Sequence, residues 1–431
     1  MHFAKVSMTV LRIARATAVL CLLGVWLACG DYYRPVANPI IPNLPNPSSS
    51  HVVLVITGNG DNNPGASSTI DVSGDIAVSQ STVGLVPVHA ALAQKGSLVY
   101  VANSHDDTVS EFGPSSPAPV TTISLPAGSA PSFVATTESA TVYVANSGSG
   151  TVAAISTASN VLTNAIPVGV NPVTMAELPN GQKLYVANKG NGGGNGSVSS
   201  VNTIDKIPNP PVSGTWISPV WVVARSDGQR VYVLDSGTGN VSAIDTSTDN
   251  VIKNVAVGVG ADFMLYDPNL DRLYVTNPAT NQVIVLDASS DSLAATPVAV
   301  ANPVAVAALP DGTRFYVSSA AVAASPSGNI VSSQVTVLDA TDFSVKTTIP
   351  LTKVNSAPEC ASKTWSELFM AAAADSTRVY IGNCDAGNTA IIQTSNDTLV
   401  AQLASPVSAQ KPTTNGGTPP PQNPVFVLAG P

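Results

Sequence analysis

A short strand motif with tyrosine at its centre recurs seven times along the chain, and this repeat restricts the available folds more than any other feature. Its copies are Val99-Tyr100-Val101, Val142-Tyr143-Val144, Leu184-Tyr185-Val186, Val231-Tyr232-Val233, Leu273-Tyr274-Val275, Phe315-Tyr316-Val317 and Val379-Tyr380-Ile381. Successive tyrosines are 42, 43 or 47 residues apart, except the last pair, which is 64 apart. This periodicity indicates a repeat architecture in which each unit buries its apolar faces against its neighbours.

Each repeat is predicted to form four short strands. A strand that often opens with proline, such as Pro172–Ala176, precedes the tyrosine strand, and turns such as Asp227-Gly228 join the two. Asp-Gly pairs of this kind favour tight hairpins. A third strand, such as Val241–Asp245, leads through a polar turn to a fourth, such as Val251–Val257. Four strands in 40–50 residues are typical of a β-propeller blade.

The two ends of the repeat region are predicted to complete one blade together. His51–Thr57, Thr69–Val72 and Val83–Val88 have the character of second, third and fourth strands, and no first strand precedes them. Pro424–Ala429 has the character of a first strand with nothing after it. Joining them would remove exposed sheet edges. We therefore predict an all-β fold, a single propeller over residues 51–431 with eight blades by strand count, seven being the alternative.

The motifs around the tyrosine strand also resemble a known repeat. The strand usually ends in Asn, as at Asn103 and Asn188, an Asp-Gly turn often precedes it, and Ile244-Asp245-Thr246 illustrates the turn after the third strand. Together these resemble the YVTN-type β-propeller repeat of bacterial exported proteins, over residues 51–430. The resemblance implies an exported or surface-attached scaffold, usually with seven blades, and it supplies no catalytic residues.

The N-terminal region predicts export. Lys5, Arg12 and Arg15 precede an uncharged segment, Ala16–Ala28. A basic start followed by a short apolar segment is the layout of a secretory signal peptide, here residues 1–28. The apolar segment is too short to span a bilayer, which needs about 20 residues.

A lipid anchor and a tether are predicted to follow the signal. Leu27-Ala28-Cys29-Gly30 resembles a bacterial lipobox, which implies lipidation of Cys29; an ordinary cleavage near Ala28 is the alternative. Residues 29–50 contain five prolines and end in three serines, so they favour an extended spacer. Gly30 lacks an acidic retention signal. We therefore expect a protein anchored to the outer membrane or cell surface, touching the membrane through its lipid only.

Charge and composition argue against several kinds of chemistry. The net charge is −9 and only 10% of the residues are charged, so nucleic-acid phosphates would be repelled. Four histidines and five glutamates show no paired ligand spacing. The sequence therefore predicts no catalytic residue, no metal site and no cofactor. Asp245, Asp287 and Asp339, which follow third strands, are predicted to cap their turns rather than to bind metal.

Two cysteines and two tryptophans are candidate features of one face of the propeller. Cys360 and Cys384 fall in loops that open on the same face of one blade, so we predict a disulfide between them. Trp216 and Trp365 precede first strands beside the two longest insertions. They are candidates for a ligand-binding face, and local packing under the loops is the alternative.

Two classes of function remain open at this stage. The favoured hypothesis is a non-enzymatic, monomeric binding scaffold of the cell envelope whose loop-rich face meets a protein or glycan. The alternative is a propeller enzyme of the lactonase or dehydrogenase type acting at the channel mouth. The scarcity of histidine and glutamate argues against an enzyme, and a purely structural envelope component is a third option.

Overall fold

The structure is a computed structural model of the chain. It describes residues 52–93, 96–114, 120–136, 140–325, 328–355, 368–407 and 421–430. These residues form 33 β-strands and no helix, so they contain no helix able to cross a membrane. The strands alternate with short turns rich in glycine, asparagine and aspartate, many of them in the left-handed region. That composition explains the all-β fold, because such residues adopt positive φ at little cost.

The strands are, in chain order, β1 (Val52–Gly58), β2 (Pro64–Asp71), β3 (Ile76–Leu85), β4 (Pro87–Ala93), β5 (Leu98–Asn103), β6 (Thr108–Phe112), β7 (Thr121–Ser124), β8 (Pro131–Thr136), β9 (Thr141–Asn146), β10 (Thr151–Ser156), β11 (Val161–Pro167), β12 (Pro172–Glu177), β13 (Lys183–Asn188), β14 (Ser197–Asn202), β15 (Ile207–Pro208), β16 (Pro219–Ala224), β17 (Arg230–Asp235), β18 (Asn240–Asp245), β19 (Asn250–Ala256), β20 (Phe263–Asp267), β21 (Arg272–Asn277), β22 (Gln282–Asp287), β23 (Ser292–Leu293), β24 (Val298–Ala299), β25 (Pro303–Ala308), β26 (Arg314–Ser325), β27 (Gly328–Asp339), β28 (Val345–Asn355), β29 (Met370–Ala372), β30 (Arg378–Asn383), β31 (Asn388–Gln393), β32 (Thr398–Ala404) and β33 (Asn423–Ala429).

These strands make eight antiparallel blades arranged in a ring. Blade 1 has the order β33-β1-β2-β3, and blades 2 to 8 follow as β4–β7, β8–β11, β12–β15, β16–β19, β20–β24, β25–β28 and β29–β32. Blade 6 has its outer strand in two pieces, β23 and β24, which both pair with β22. The first strand of each blade contacts the first strand of the next, all the way round. The propeller and its eight blades are therefore confirmed.

The last strand closes the ring as predicted. β33 pairs antiparallel with β1, with Val427 opposite Val55 and Phe426 opposite Ile56. β33 also packs against β29 and β4, which belong to the blades on either side. Closure packs the inner edge strand of each blade between those of its neighbours, which protects these edges and is the physical advantage of joining the two chain ends.

The tyrosine strands supply the core between blades. All seven repeat tyrosines are at most 2% exposed. Around Tyr100, for example, Ala91, Val134, Val144 and Ile155 form one apolar cluster that joins blades 2 and 3. Each second strand is buried on both faces, which explains its continuous apolar character.

Each blade has two chemically different ends. At the turn end, which we define by the connections from first to second and from third to fourth strands, tyrosine hydroxyls reach the next blade. The Tyr232 hydroxyl donates to Asp291 Oδ1 at 2.7 Å, and that of Tyr380 donates to Asp75 Oδ1 at 3.0 Å. Asp75 and Asp291 occupy the left-handed position of a 3–4 turn, with φ near +50°.

Basic side chains two residues before these tyrosines reinforce the contacts. Arg314 pairs with Asp397 at 2.7 Å and Lys183 pairs with Asp249 at 3.0 Å, in each case across the boundary between blades. Blade 7 departs from the pattern because Phe343 occupies the left-handed position of its turn, and Arg272 of blade 6 lies over that ring at 5.0 Å. At the turn end, hydrogen bonds and ion pairs thus join most neighbouring blades, and the Tyr274 hydroxyl beside Phe343 is an exception without a described partner.

Candidate functional site

The opposite, loop end carries the connections from second to third strands and from one blade to the next. In most blades an asparagine or aspartate at the end of the second strand fills the space at this loop end. Asp235 is the most complete case, because its carboxylate accepts hydrogen bonds from the backbone N–H groups of Ile217, Ser218, Gly237 and Thr238 at 2.7–3.1 Å. These contacts hold the chain that enters blade 5, so the role of Asp235 is structural.

The asparagines at the same position act in a similar way. Asn277 donates from Nδ2 to the carbonyls of Val257 and Gly258, and its Oδ1 accepts from the N–H of Thr280. A Cβ on Gly258 would lie 2.8 Å from Asn277 Nδ2, which shows how closely the side chain fills this space. The asparagine that ends most second strands therefore occupies the gap beneath the chain entering the blade.

Blade 7 lacks this filling side chain. Ser319 stands where the other second strands carry asparagine or aspartate, and a pocket of about 360 Å³ lies there. Its lining residues are Ala301, Asn302, Ser319, Ala320, Ala321, Ser332, Ser333, Gln334, Pro350, Leu351 and Thr352. Because serine is shorter than asparagine, the replacement leaves room at this corner of the blade.

The pocket wall contains a buried hydroxyl that has no described partner. Ser319 is 2% exposed, and its Oγ makes no hydrogen bond to any described residue. None of the lining side chains carries a charge. A buried hydroxyl without a partner is costly, so such a group is available to a ligand that supplies one.

Asp385 lies in the adjoining blade, in the short loop between β30 and β31. Its side chain is 9% exposed, and neither carboxylate oxygen has a hydrogen-bond partner among the described residues. Burial raises the pKa of this carboxyl to about 6. The group therefore changes charge near neutral pH, and a carboxyl with a pKa in this range can act as a general base.

Asn383 connects Asp385 to the pocket. It precedes Asp385 by two residues, and its Nδ2 donates to Thr352 Oγ1 in the pocket wall. Gln402 of blade 8 also donates to the Leu351 carbonyl in that wall, at 3.0 Å. The loop end of blades 7 and 8 thus combines a pocket, an unpartnered hydroxyl and a buried carboxyl, and we call this region the blade 7–8 site.

The residues considered for chemistry from sequence lie elsewhere. His89 is fully buried in β4, stacked on Phe133 with ring centroids 3.8 Å apart, and its Nδ1 accepts the Val134 N–H. Asp245 and Asp287 cap their turns, since Oδ1 of each accepts the backbone N–H two residues later, from Ser247 and Ser289. Asp339 does the same for Thr341. Turn capping by these three aspartates is confirmed.

The predicted ligand-face and disulfide residues are only partly described. Trp216 is 7% exposed and its indole N–H donates to the Val212 carbonyl at 3.2 Å, which is the local packing considered as the alternative. Cys384 is buried beside Asp385. Cys29, Cys360 and Trp365 lie outside the described residues. Lipidation, the disulfide and the tryptophan face therefore stay predictions.

Sequence reasoning did not select Ser319 or Asp385 as functional residues. For Ser319 a signal existed, because it interrupts the series of asparagines that follow the tyrosine strands. For Asp385 there was none, since an aspartate in a short turn between two strands is typical of ordinary loops. Within the described ranges, no group of three or more His, Cys, Asp or Glu side chains is arranged to hold a metal ion.

Comparison with known proteins places the chain in a family. The model of a family described as lactonase, 7-bladed beta-propeller, matches residues 115–414, more than half of the chain, including β29–β32 and the whole blade 7–8 site. No curated protein matches the chain.

Solved structures share the propeller fold at low identity. A putative 6-phosphogluconolactonase of Bacteroides fragilis has a TM-score of 0.52 at 13% identity, with 90% of this chain and 99% of that chain covered. Dihydro-heme d1 dehydrogenase NirN has a TM-score of 0.59 at 11% identity, covering 85% and 77%. Apo AztD of Citrobacter koseri has a TM-score of 0.59 at 10% identity, covering 88% and 97%. These similarities show a shared fold alone.

The family match corrects the prediction that the protein is not an enzyme. That prediction rested on the scarcity of histidine and glutamate, a criterion suited to metal-bound clusters, and a single buried carboxyl such as Asp385 does not register in it. The number of blades in this chain also differs from the number in the family's description. The chain belongs to the lactonase family of β-propellers, and it carries eight blades rather than seven.

Proposed function

We propose that the protein is a propeller enzyme that hydrolyses a lactone at the blade 7–8 site, with Asp385 as the general base. The observation that carries the proposal is the lactonase family match over residues 115–414, which include the site. The buried, unpartnered carboxyl of Asp385 supports it, because burial raises its pKa to about 6, close to the pH at which a base is most useful.

The proposed reaction needs one water molecule. The ionised Asp385 carboxylate accepts a proton from the water, whose oxygen attacks the lactone carbonyl carbon. The ring C–O bond then breaks, and Asp385 returns the proton to the departing ring oxygen. The product is a hydroxy acid, which loses its own carboxyl proton to solvent. Ser319 lines the pocket and Asn383 donates to Thr352 in its wall, so we assign the orientation of the ring to these side chains.

The test is a hydrolysis assay on the full chain with sugar lactones, followed through the acid released and corrected for spontaneous hydrolysis. We expect kcat to rise with pH through about 6, because the ionised form of Asp385 is the active one. Asp385→Asn should lower kcat by about 10²–10⁴-fold, the range of general-base contributions. Asp287→Asn, which changes a turn carboxylate at the opposite end, is the matched control and should keep full activity.

Two results would count against this assignment. An Asp385→Asn variant that folds and turns over lactones at the original rate would remove the aspartate from the chemistry. A rate for the unmodified protein no higher than spontaneous hydrolysis, across five- and six-membered lactones, would reject lactone hydrolysis itself.

A further inference from the structure

We infer that the blade 7–8 site selects an uncharged, hydroxyl-rich ring the size of one sugar, and discriminates against a phosphorylated one. This inference rests on the proposed function for its link to lactones, although the binding preference can be measured separately. It follows from three features of the described residues: the side chains that line the pocket, the positions of the basic residues, and the unpartnered hydroxyl of Ser319.

The pocket wall is neutral and polar in part. Six lining residues carry a hydroxyl or an amide, namely Asn302, Ser319, Ser332, Ser333, Gln334 and Thr352, and the other five are alanine, proline or leucine. A volume of about 360 Å³ is near the lower end of the range of roughly 300–1,000 Å³ for ligand pockets, so it suits a single ring. Hydroxyl and amide groups pair with sugar hydroxyls without demanding a charge.

Many of the described basic side chains are engaged at the other end of the propeller. Five of them contact the 3–4 turn of the next blade: Lys183, Arg230, Arg272, Arg314 and Arg378. Phosphate recognition relies on Arg or Lys side chains or on clustered N–H groups, and the lining residues supply no such side chain. The Asp385 carboxyl of the same site adds negative charge when ionised, which would repel a phosphate.

Ser319 gives the preference a specific contact. Its hydroxyl is 2% exposed and has no described partner, so a ligand hydroxyl could form a bond that the empty protein lacks. Ser67, in β2, provides a matched comparison. It is 1% exposed and its hydroxyl is likewise without a described partner, but it is not among the residues that line the pocket.

The experiment measures binding by calorimetry with the full chain and a stable analogue, D-glucono-δ-lactam, alongside the same compound phosphorylated on its 6-hydroxyl. We expect the neutral lactam to bind at least tenfold more tightly than the phosphorylated form. Ser319→Ala should weaken lactam binding about fivefold, the loss of one neutral hydrogen bond. Ser67→Ala should leave it unchanged, so a general effect of removing a buried hydroxyl is controlled.

The outcomes separate this inference from the proposed function. Equal or tighter binding of the phosphorylated lactam, no binding of either compound, or no effect of Ser319→Ala would overturn the inference. Binding of the neutral lactam without turnover of any lactone would support the inference while rejecting the enzymatic proposal. Turnover that favours a phosphorylated lactone would do the reverse.

Discussion

The polar side chains at the two ends of the propeller differ in how fully they are hydrogen-bonded. At the turn end, tyrosine hydroxyls and basic side chains of one blade meet the 3–4 turn of the next, as in the Tyr380–Asp75–Arg378 group, where both donors share one carboxylate. At the loop end, Asp235 of blade 5 is bonded to four backbone N–H groups, whereas Asp385 of blade 8 has no described partner. A fully bonded carboxylate and an unbonded one thus occur at the same end of the propeller.

This difference indicates where function can reside. A carboxylate that is fully bonded has a fixed structural task, and its loss costs stability. A buried carboxylate without partners costs stability while it is present, so its retention calls for another explanation. The blade 7–8 site is the part of the loop end where such groups occur beside a pocket, and the following changes test the contrast.

Removing a tyrosine from the turn end should have the largest effect on stability. Tyr185 is fully buried between blades and its hydroxyl donates to Asp249 of the next blade. Tyr185→Ala should lower the free energy of unfolding by about 3–5 kcal/mol, because it leaves a cavity and removes one of the donors to Asp249, which keeps its ion pair with Lys183. Urea denaturation measures this value, and Tyr185→Phe, which keeps the ring, should cost much less. Equal losses for both variants would contradict a packing role for the ring.

Asp385→Asn should stabilise the protein above pH 6. Burial raises the pKa of Asp385 from 3.8 to about 6, so between these pH values the folded state binds more protons than the unfolded state, and stability falls as pH rises. Above pH 6 Asp385 is ionised in the folded state, and the full destabilisation by its buried charge is present. The asparagine variant avoids it and should gain about 2–3 kcal/mol there, with little difference near pH 4. Denaturation curves at pH 4 and pH 8 measure the two values.

Asp235→Asn is the control for that measurement at the same end. It replaces an acceptor of four N–H bonds with a neutral amide, so it should lose about 1.5–3 kcal/mol. The two substitutions are chemically identical and opposite in expected sign. If both destabilised the protein equally, the contrast between bonded and unbonded aspartates would fail.

The smallest predicted effect comes from completing the turn end. Phe343 has a φ of 61° and occupies the position where most of the other described 3–4 turns carry an acidic or amide acceptor, so its side chain offers Tyr274 and Arg272 no acceptor. Phe343→Asp should add about 0.5–1 kcal/mol, because aspartate tolerates this backbone region better and supplies the acceptor. Thermal unfolding measures the gain, and adding Tyr274→Phe should reduce it. A net loss would show that the Arg272–Phe343 contact matters more.

Much of the fold was predictable from local patterns. The tyrosine strands, their hairpin turns and the complementary ends at Val52–Gly58 and Asn423–Ala429 led to eight blades and to closure by the last strand. These features depend on residues that are neighbours in sequence or on the order of strands. Because the chain is a repeat, the same pattern occurs in each unit. The candidate site was harder to predict from the sequence. Ser319 is conspicuous only as an exception within a series, and Asp385 resembles any aspartate in a turn.

Local sequence was enough for the repeat, the blade count and the capping role of aspartates such as Asp245, because these follow from residues within each unit and from counting the units. Which polar groups find partners depends on how the blades pack in three dimensions. Whether Asp235 is bonded and Asp385 is not depends on the chain that enters each blade, and the pocket beside Ser319 depends on space left between packed elements. Hydrogen bonding and cavity volume are properties of neighbours in space, and those neighbours are distant in sequence.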